Sequence, residues 1–395
     1  MNRFSVRALA AITAGAFILS ACGGGEPAPS AFPGLMVDGN SAYLASNLYV
    51  YKFDVQTARL DWQFPASIDN ANPRGPFSGV PAKMGDVIIV GGSSGTNGAY
   101  DKHVYGLSNQ NGQEVWRFTP PEATAREFVA GVVTDGKLVY APNGDGNLYA
   151  FDPAQKDSSN QPKLIWTFST GNRLWGRPLL ADGKLYQGGL DHKLYAIDAA
   201  TGKQIWQFDK ISAPIAAQPA LSGGVLYFGA FDSAFYAVNA SDGSLKWKTP
   251  VGGWVWTDAT ISNGTVYFGD VQGKLYALDM ATGQIQWTYE TRDSIKAQPV
   301  ISGTTLYVVS VDTNVYAFDL NNIKKDATGK VDYNNTKWRN DTIARRLVSE
   351  PAVVGDTLLV PVFDGDIKVW ALDANTGARK YQFPLAPAAT PTPGK

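Results

Sequence analysis

The side chains that carry most protein chemistry are scarce here: the chain of 395 residues holds two histidines and one cysteine. His103 and His192 lie nearly two repeat units apart, so no imidazole pair has metal-ligand spacing and no metal site is expected. No nucleophile elbow, no phosphate-cradling G-x-x-x-x-G-K-[ST] loop and no Ser, His and Asp constellation stands above chance. Cys22 is different, because its surroundings give it a chemistry. Arg3 and Arg7 form a basic start, Ala8 to Leu19 an apolar run too short to span a bilayer, and Leu19-Ser20-Ala21-Cys22 a small-residue cleavage site.

That arrangement resembles the processing site of bacterial lipoproteins, which implies a signal peptide over residues 1–21 and acylation of Cys22. Two or more acyl chains anchor stably where one does not. Residues 22–30 are then the lipidated cysteine and a flexible tether, Gly23 to Ser30. With Cys22 taken by lipid, the mature fold has no disulfide, no thiolate metal site and no catalytic thiol. Gly23 stands where such lipoproteins carry the aspartate that retains them in the inner membrane. The expected place is the periplasmic face of the outer membrane, or the outer face of the cytoplasmic membrane in a cell with only one.

The remaining chemistry is non-covalent. Trp175, Trp254 and Trp256 fall in connecting segments together with Leu174, Arg177 and Asp258. Aromatic and Arg side chains gathered on exposed loops have the composition of protein-binding hot spots. Gln218, Lys296, Gln298 and Glu350 fall at equivalent places in other connections. Lys and Arg number 34 against 35 Asp and Glu, so the chain carries no basic excess for phosphates and nucleic acid is not an expected partner.

The elements that must position these residues come from a repeat. Tyr195-Ala-Ile-Asp198 is followed by Thr201-Gly202 and Trp206; Tyr276-Ala-Leu-Asp279 by Thr282-Gly283 and Trp287; Tyr236-Ala-Val-Asn239 by Asp242-Gly243 and Trp247. Weaker copies end on Trp62, Trp116 and Tyr381, and two with insertions end on Trp166 and Trp338. Upstream of each lies an apolar segment broken by a turn, as in Pro178 to Tyr186. Each unit therefore offers four short alternating runs, which predicts a four-stranded antiparallel blade with Gly-containing hairpin turns. Blades that cannot bury both faces alone must stack about an axis, each outer-strand aromatic filling the gap to its neighbour. An all-β, eight-bladed propeller over residues 31–385 is the expected fold, with 386–395 as a disordered tail. The first unit begins at Phe32-Pro33 and the last ends at Phe383, so no strand is left to swap across the closure. The Asp residues at 198, 279 and 373 read as turn caps rather than acids or bases.

The Tyr-Ala-x-Asp-x-x-Thr-Gly-x-x-x-Trp string resembles the tryptophan-docking repeat of the pyrroloquinoline-quinone propeller superfamily. Lipobox, single propeller and length together look most similar to the BamB-like family of outer-membrane assembly lipoproteins. In that family, the resemblance implies, crossover loops of adjacent middle blades contact the barrel-assembly protein; the matching positions here are Leu174, Trp175 and Arg177. The next loop, Ile211 to Gln218, lacks the acidic pair the family tends to show, and Asp258 sits one blade further on. Quinone-dependent dehydrogenases of the superfamily often carry a vicinal cysteine pair and an axial calcium; this chain has no cysteine beyond Cys22. No cofactor is therefore expected, neither the quinone nor calcium.

Up-and-down blades put the turns between strands B and C and the crossovers from strand D to the next strand A on one face. On that face lie Ile68 to Gly79, Gly91 to Tyr100, Arg173 to Arg177, Val251 to Asp258 and Ala344 to Leu347, with Arg177, Asp258, Lys296, Gln298 and Glu350 beside the start of strand A, rimming a central funnel. On the other face the insertions Asp152 to Leu164 and Asp319 to Lys337 read as solvated loops, since they lack the D-x-[DN]-x-[DN]-G order of a cation loop. Three functions are ranked on this basis. First is a non-enzymatic, lipid-anchored scaffold, a monomeric propeller docking an envelope protein of the barrel-assembly machinery. Second is a module binding a small molecule or glycan in the funnel, and third a quinone-dependent dehydrogenase.

Overall fold

The computed structural model describes residues 32–68, 74–93, 101–121 and 125–385. The segments expected to be signal peptide (1–21), tether (22–30) and tail (386–395), with parts of the crossover at 68–79 and the insertion at 91–100, lie outside the described residues. The chain forms eight four-stranded antiparallel sheets, each from four consecutive strands. Blades 1 to 8 span 34–64, 77–118, 133–169, 179–208, 220–250, 260–290, 300–340 and 352–383. Blade 1 and blade 8 are each built without a borrowed strand, and the ring closes by packing Leu35, Leu44 and Phe53 against Leu359, Val369 and Phe383.

Each turn expected from the repeat forms for a local reason. Asp198 Oδ1 accepts from Thr201 N at 2.8 Å and Thr201 Oγ1 at 2.7 Å, and Asp279 and Asp373 do the same for Thr282 and Thr376. The ionised carboxylate is the acceptor, so these bonds, led in Asp198 by the Thr201 hydroxyl, hold its pKa below the usual carboxylate value. The turn then presents a carbonyl to the previous blade. The indole Nε1 of Trp62, Trp166, Trp206, Trp247 and Trp338 donates to the carbonyls of Asn109, Ala199, Ala240, Met280 and Ala374, all at 3.0–3.1 Å. The Tyr381 hydroxyl completes the ring by donating to the Val55 carbonyl. Trp116 and Trp287 instead pack against Phe151 and Phe318. The blades they face are those with insertions, where the Thr-Gly turn is replaced.

Those insertions are more structured than solvated loops. The first extends its hairpin as Asn147–Lys156 and Pro162–Ser169, and Gln161 Oε1 accepts from Thr119 N of blade 2 at 3.0 Å. In the second, Lys330 forms a parallel bridge with Thr288, so the segment lies along the outer strand of blade 6. Thr288 N donates to Gly329 O at 3.0 Å and Val331 N to Thr288 O at 2.8 Å. An exposed strand edge leaves backbone groups unpaired, and the insertion satisfies them.

The crossovers and the B–C turns do share one face. Leu190 N donates to Arg173 O, Phe231 N to Pro214 O and Val271 N to Trp254 O, each at 3.0 Å. In six blades the motif tyrosine anchors the B–C turn through its hydroxyl, as Tyr149 does on Asp145 at 2.7 Å and Tyr316 on Asp312 at 2.6 Å. This lacing fixes the backbone on which the mouth of the channel is built.

Candidate functional site

Every strand A starts at the channel mouth, and side chains two apart along it point to the axis. In blades 4 to 8 the axial positions are Trp175 and Arg177, Ala216 and Gln218, Trp256 and Asp258, Lys296 and Gln298, Val348 and Glu350. The residues between them, such as Gly176, Ala217 and Thr257, are buried within the blades. Blades 1 to 3 contribute glycine instead. A Cβ on Gly34 would collide with the Gly79 carbonyl, and one on Gly79 would lie 2.5 Å from Gly131 N. Backbone is pressed on backbone along that half of the ring, and side chains from the other half fill the space left.

Those side chains converge. Arg177 Nε donates to Gln218 Oε1 at 3.0 Å, Gln218 N donates to Asp258 Oδ1 at 2.6 Å, and Gln218 Nε2 donates to Pro178 O at 3.1 Å. Glu350 closes the group from across the ring. Burial pushes the Asp258 carboxyl up against the opposing pull of Arg177 and the Gln218 amide. Glu350 is pushed up to about 7, by burial first and then by the Asp258 charge, with Arg177 opposing. Solvent still touches both carboxyls through the channel, but protein surrounds them on nearly every side. One guanidinium thus serves two acids in a cavity of about 150 Å³. Gln298 Nε2 is held by Ala259 O and Thr260 Oγ1, both at 3.1 Å, while Lys296 lines the same cavity.

An aromatic lid covers this polar ring. Trp256 is its hub, stacked on Phe231 at 4.9 Å between centroids and meeting Trp175 and Phe32 at 6.2 Å each. Phe231 also stacks on Trp254 at 5.5 Å and 12°. Phe32 reaches Phe363 at 5.9 Å, and the Arg346 guanidinium lies 4.9 Å over the Phe363 ring. Trp254 is the outermost member, 53% exposed.

The candidate residues therefore separate into three environments. Trp175, Trp254 and Trp256 form the lid. Arg177 and Asp258, expected beside them as partner contacts, lie beneath it with the rim candidates Gln218, Lys296, Gln298 and Glu350. Leu174 is fully buried among Tyr140, Leu148 and Leu185, where no partner reaches it. Phe32, Phe231 and Phe363 complete the lid, and sequence reasoning missed all three. Phe231 carried a signal, since Leu190, Val271 and Val311 occupy its place in other blades. Among the described residues, no three His, Cys, Asp or Glu side chains are grouped to hold a metal ion. A larger open hollow of about 620 Å³ lies by Lys324 to Asn335, far from this convergence and lined by one segment only.

Ring, docking repeat and lidded axis define a β-propeller of the tryptophan-docking class. The chain matches the family described as outer membrane protein assembly factor BamB over residues 17–159, 158–253 and 248–392. It belongs to that family. The assembly factor BamB of Burkholderia pseudomallei is 26% identical over 141 residues, 36% of this chain and 32% of that protein. Lupanine 17-hydroxylase of a Pseudomonas species is 39% identical over 92 residues, 22% of this chain and 13% of the enzyme. The quinoprotein alcohol dehydrogenase PedH of Pseudomonas putida is 31% identical over 83 residues, 20% of this chain and 13% of the enzyme. The chain thus aligns with a third or less of these relatives' own lengths, and each enzyme match is about two blades long. Among solved structures, BamB from Moraxella catarrhalis superposes with a TM-score of 0.64 at 18% identity, covering 84% of this chain and 91% of that one. The computationally designed protein Ika8 gives 0.68 at 15%, covering 88% and 98%. At such identities these two likenesses speak for the fold alone.

Proposed function

We propose that the protein is a lipid-anchored, non-catalytic scaffold of the cell envelope, a monomeric propeller whose aromatic mouth docks a protein partner during outer-membrane barrel assembly. The observation that carries this reading is the lid itself: Trp254, half exposed and stacked on Phe231, continues into Trp256 and Trp175 across several crossovers. A rigid aromatic surface held by backbone lacing loses little entropy on binding. Family membership supports the assembly role, and the lipobox at Cys22 supports the anchor. Among the described residues no helix is long and apolar enough to cross a membrane.

The quinone of the wider superfamily does not fit these residues. The axial cavity of about 150 Å³ is below the roughly 300–1,000 Å³ usual for ligand sites. The same dimensions weigh against a glycan.

Trp254→Ala is the direct test. Capture of a barrel-assembly protein, crosslinked at the mouth and identified by mass spectrometry, is expected to fall at least about tenfold, the loss typical of an interface hot spot. The melting temperature should hold within a few degrees, because Trp254 supports no blade core. A folded variant that captures as much partner as the parent overturns the reading.

A further inference from the structure

We infer that the anchored propeller is held with its aromatic mouth toward the membrane, so that any partner docked there works in the gap between mouth and bilayer. The inference rests on the lipid-anchor reading and adds to it where the chain enters the fold. Phe32 lies in the lid, edge-on to Trp256 and tilted against Phe363, and its carbonyl accepts from Gly79 N at 3.3 Å. Pro33 is buried beneath the lid and lines the axial cavity, and Gly34–Asp38 then runs down the axis as the innermost strand of blade 1. The tether thus joins the propeller at the centre of the mouth and not at its rim.

Covalent geometry limits the reach of that tether. Nine residues, 23–31, lie between the acylated position and Phe32, which makes ten residue-to-residue steps, and a chain spans at most about 3.3–3.6 Å per residue, roughly 35 Å in all. To turn the opposite face to the bilayer, the tether would first cross a blade of four strands, about 15 Å at the usual strand spacing of about 4.8 Å. It would then descend along outer strands of five or six residues, a further 17–20 Å or so at about 3.3 Å per residue. That route consumes the whole reach before the lipid is met. With the mouth toward the membrane the same tether is long enough, with slack for a partner up to about 35 Å deep.

The chain makes its own test convenient, since Cys22 is its one cysteine and is blocked once acylated. Ser212→Cys places a thiol on the mouth-side crossover, and Ser241→Cys places one in the turn on the opposite face of the adjoining blade; both positions are exposed. Each lipidated variant is labelled with a donor dye and reconstituted in phosphatidylethanolamine and phosphatidylglycerol vesicles carrying rhodamine headgroup lipid. Energy transfer from position 212 is expected to exceed that from 241 at least twofold, and inserting about 20 Gly and Ser residues before Phe32 should erase the difference. Protein that does not float with the vesicles overturns the lipid anchor and the orientation together. Protein that floats but transfers equally from both positions, or more from 241, overturns the orientation alone.

Discussion

Arg177→Met is expected to destabilise the propeller by about 3–5 kcal/mol near pH 8 and by much less near pH 5, because it leaves two enclosed carboxyls without their shared cation. The sign comes from proton linkage. Glu350 has a folded-state pKa of about 7 against 4.5 for the free side chain, so the native state holds its proton more tightly than the unfolded one. Stability contributed by this group is complete below about pH 4.5 and is lost as pH rises through 7. Without the guanidinium that now opposes burial at both Asp258 and Glu350, both carboxyls shift further up and the loss on the alkaline side deepens. Glu350→Gln works the other way. It removes the ionisation penalty and should raise stability near pH 8 by on the order of 3 kcal/mol, at about 1.4 kcal/mol per pKa unit, with no gain near pH 4.5. Urea unfolding of parent, both single variants and the double variant, taken as differences at each pH, reads all of this. A loss for Arg177→Met that is the same at both ends of the range would show that the guanidinium supports the ring by packing alone.

How much of this was legible in sequence depends on the distance over which each contact is encoded. The docking unit lies within a dozen residues, with Asp198, Thr201, Gly202 and Trp206 fixing turn, close approach and indole in one stretch, so eight blades could be counted. The first and last units each look complete in strands, but the contact that closes the ring, blade 1 packed on blade 8, joins residues more than 300 apart and is not encoded locally. The convergence of Arg177, Gln218 and Asp258 was half visible, since they occupy one register in consecutive blades. Glu350 was placed on the same rim by that register, but its approach to Arg177 and Asp258 from across the ring depends on Gly34, Gly79 and Gly131 letting blades 1 to 3 crowd the axis, a consequence of packing that no local pattern announces. Leu174 misled for a related reason. It neighbours Trp175 in an irregular crossover, where alternation does not say which side chain turns inward. The pairing of 329–331 with blade 6 was hidden too: a polar, Asn- and Lys-rich segment carries no strand signal, and what orders it is the free edge of another unit.

The docking interaction itself predicts a non-additive pair. Trp206 is buried between blades 4 and 5, 5.9 Å from the Tyr186 ring, with its indole over Gly243 and Nε1 bonded to the Ala240 carbonyl at 3.1 Å. Truncation to alanine should cost about 3–5 kcal/mol, the range for emptying a large aromatic site, even though Tyr186 Oη still donates to that carbonyl at 3.3 Å. Gly243→Ala fails for two reasons. Its φ of 72° lies in the left-handed region, and a Cβ there would meet the Trp206 ring at 2.7 Å. Backbone strain in that region costs about 1–2 kcal/mol, and the collision adds to it. In the double variant the collision vanishes because the ring is gone, while the strain and the cavity remain. The two losses should therefore sum to at least about 1 kcal/mol more than the loss measured for both substitutions together. Chemical unfolding of the four proteins measures the coupling directly, and additivity within about 0.5 kcal/mol would mean that indole and turn do not support each other. Trp254→Ala, the same change on the lid, serves as the contrast: there the indole faces solvent, and its removal should alter partner capture and leave unfolding nearly unchanged.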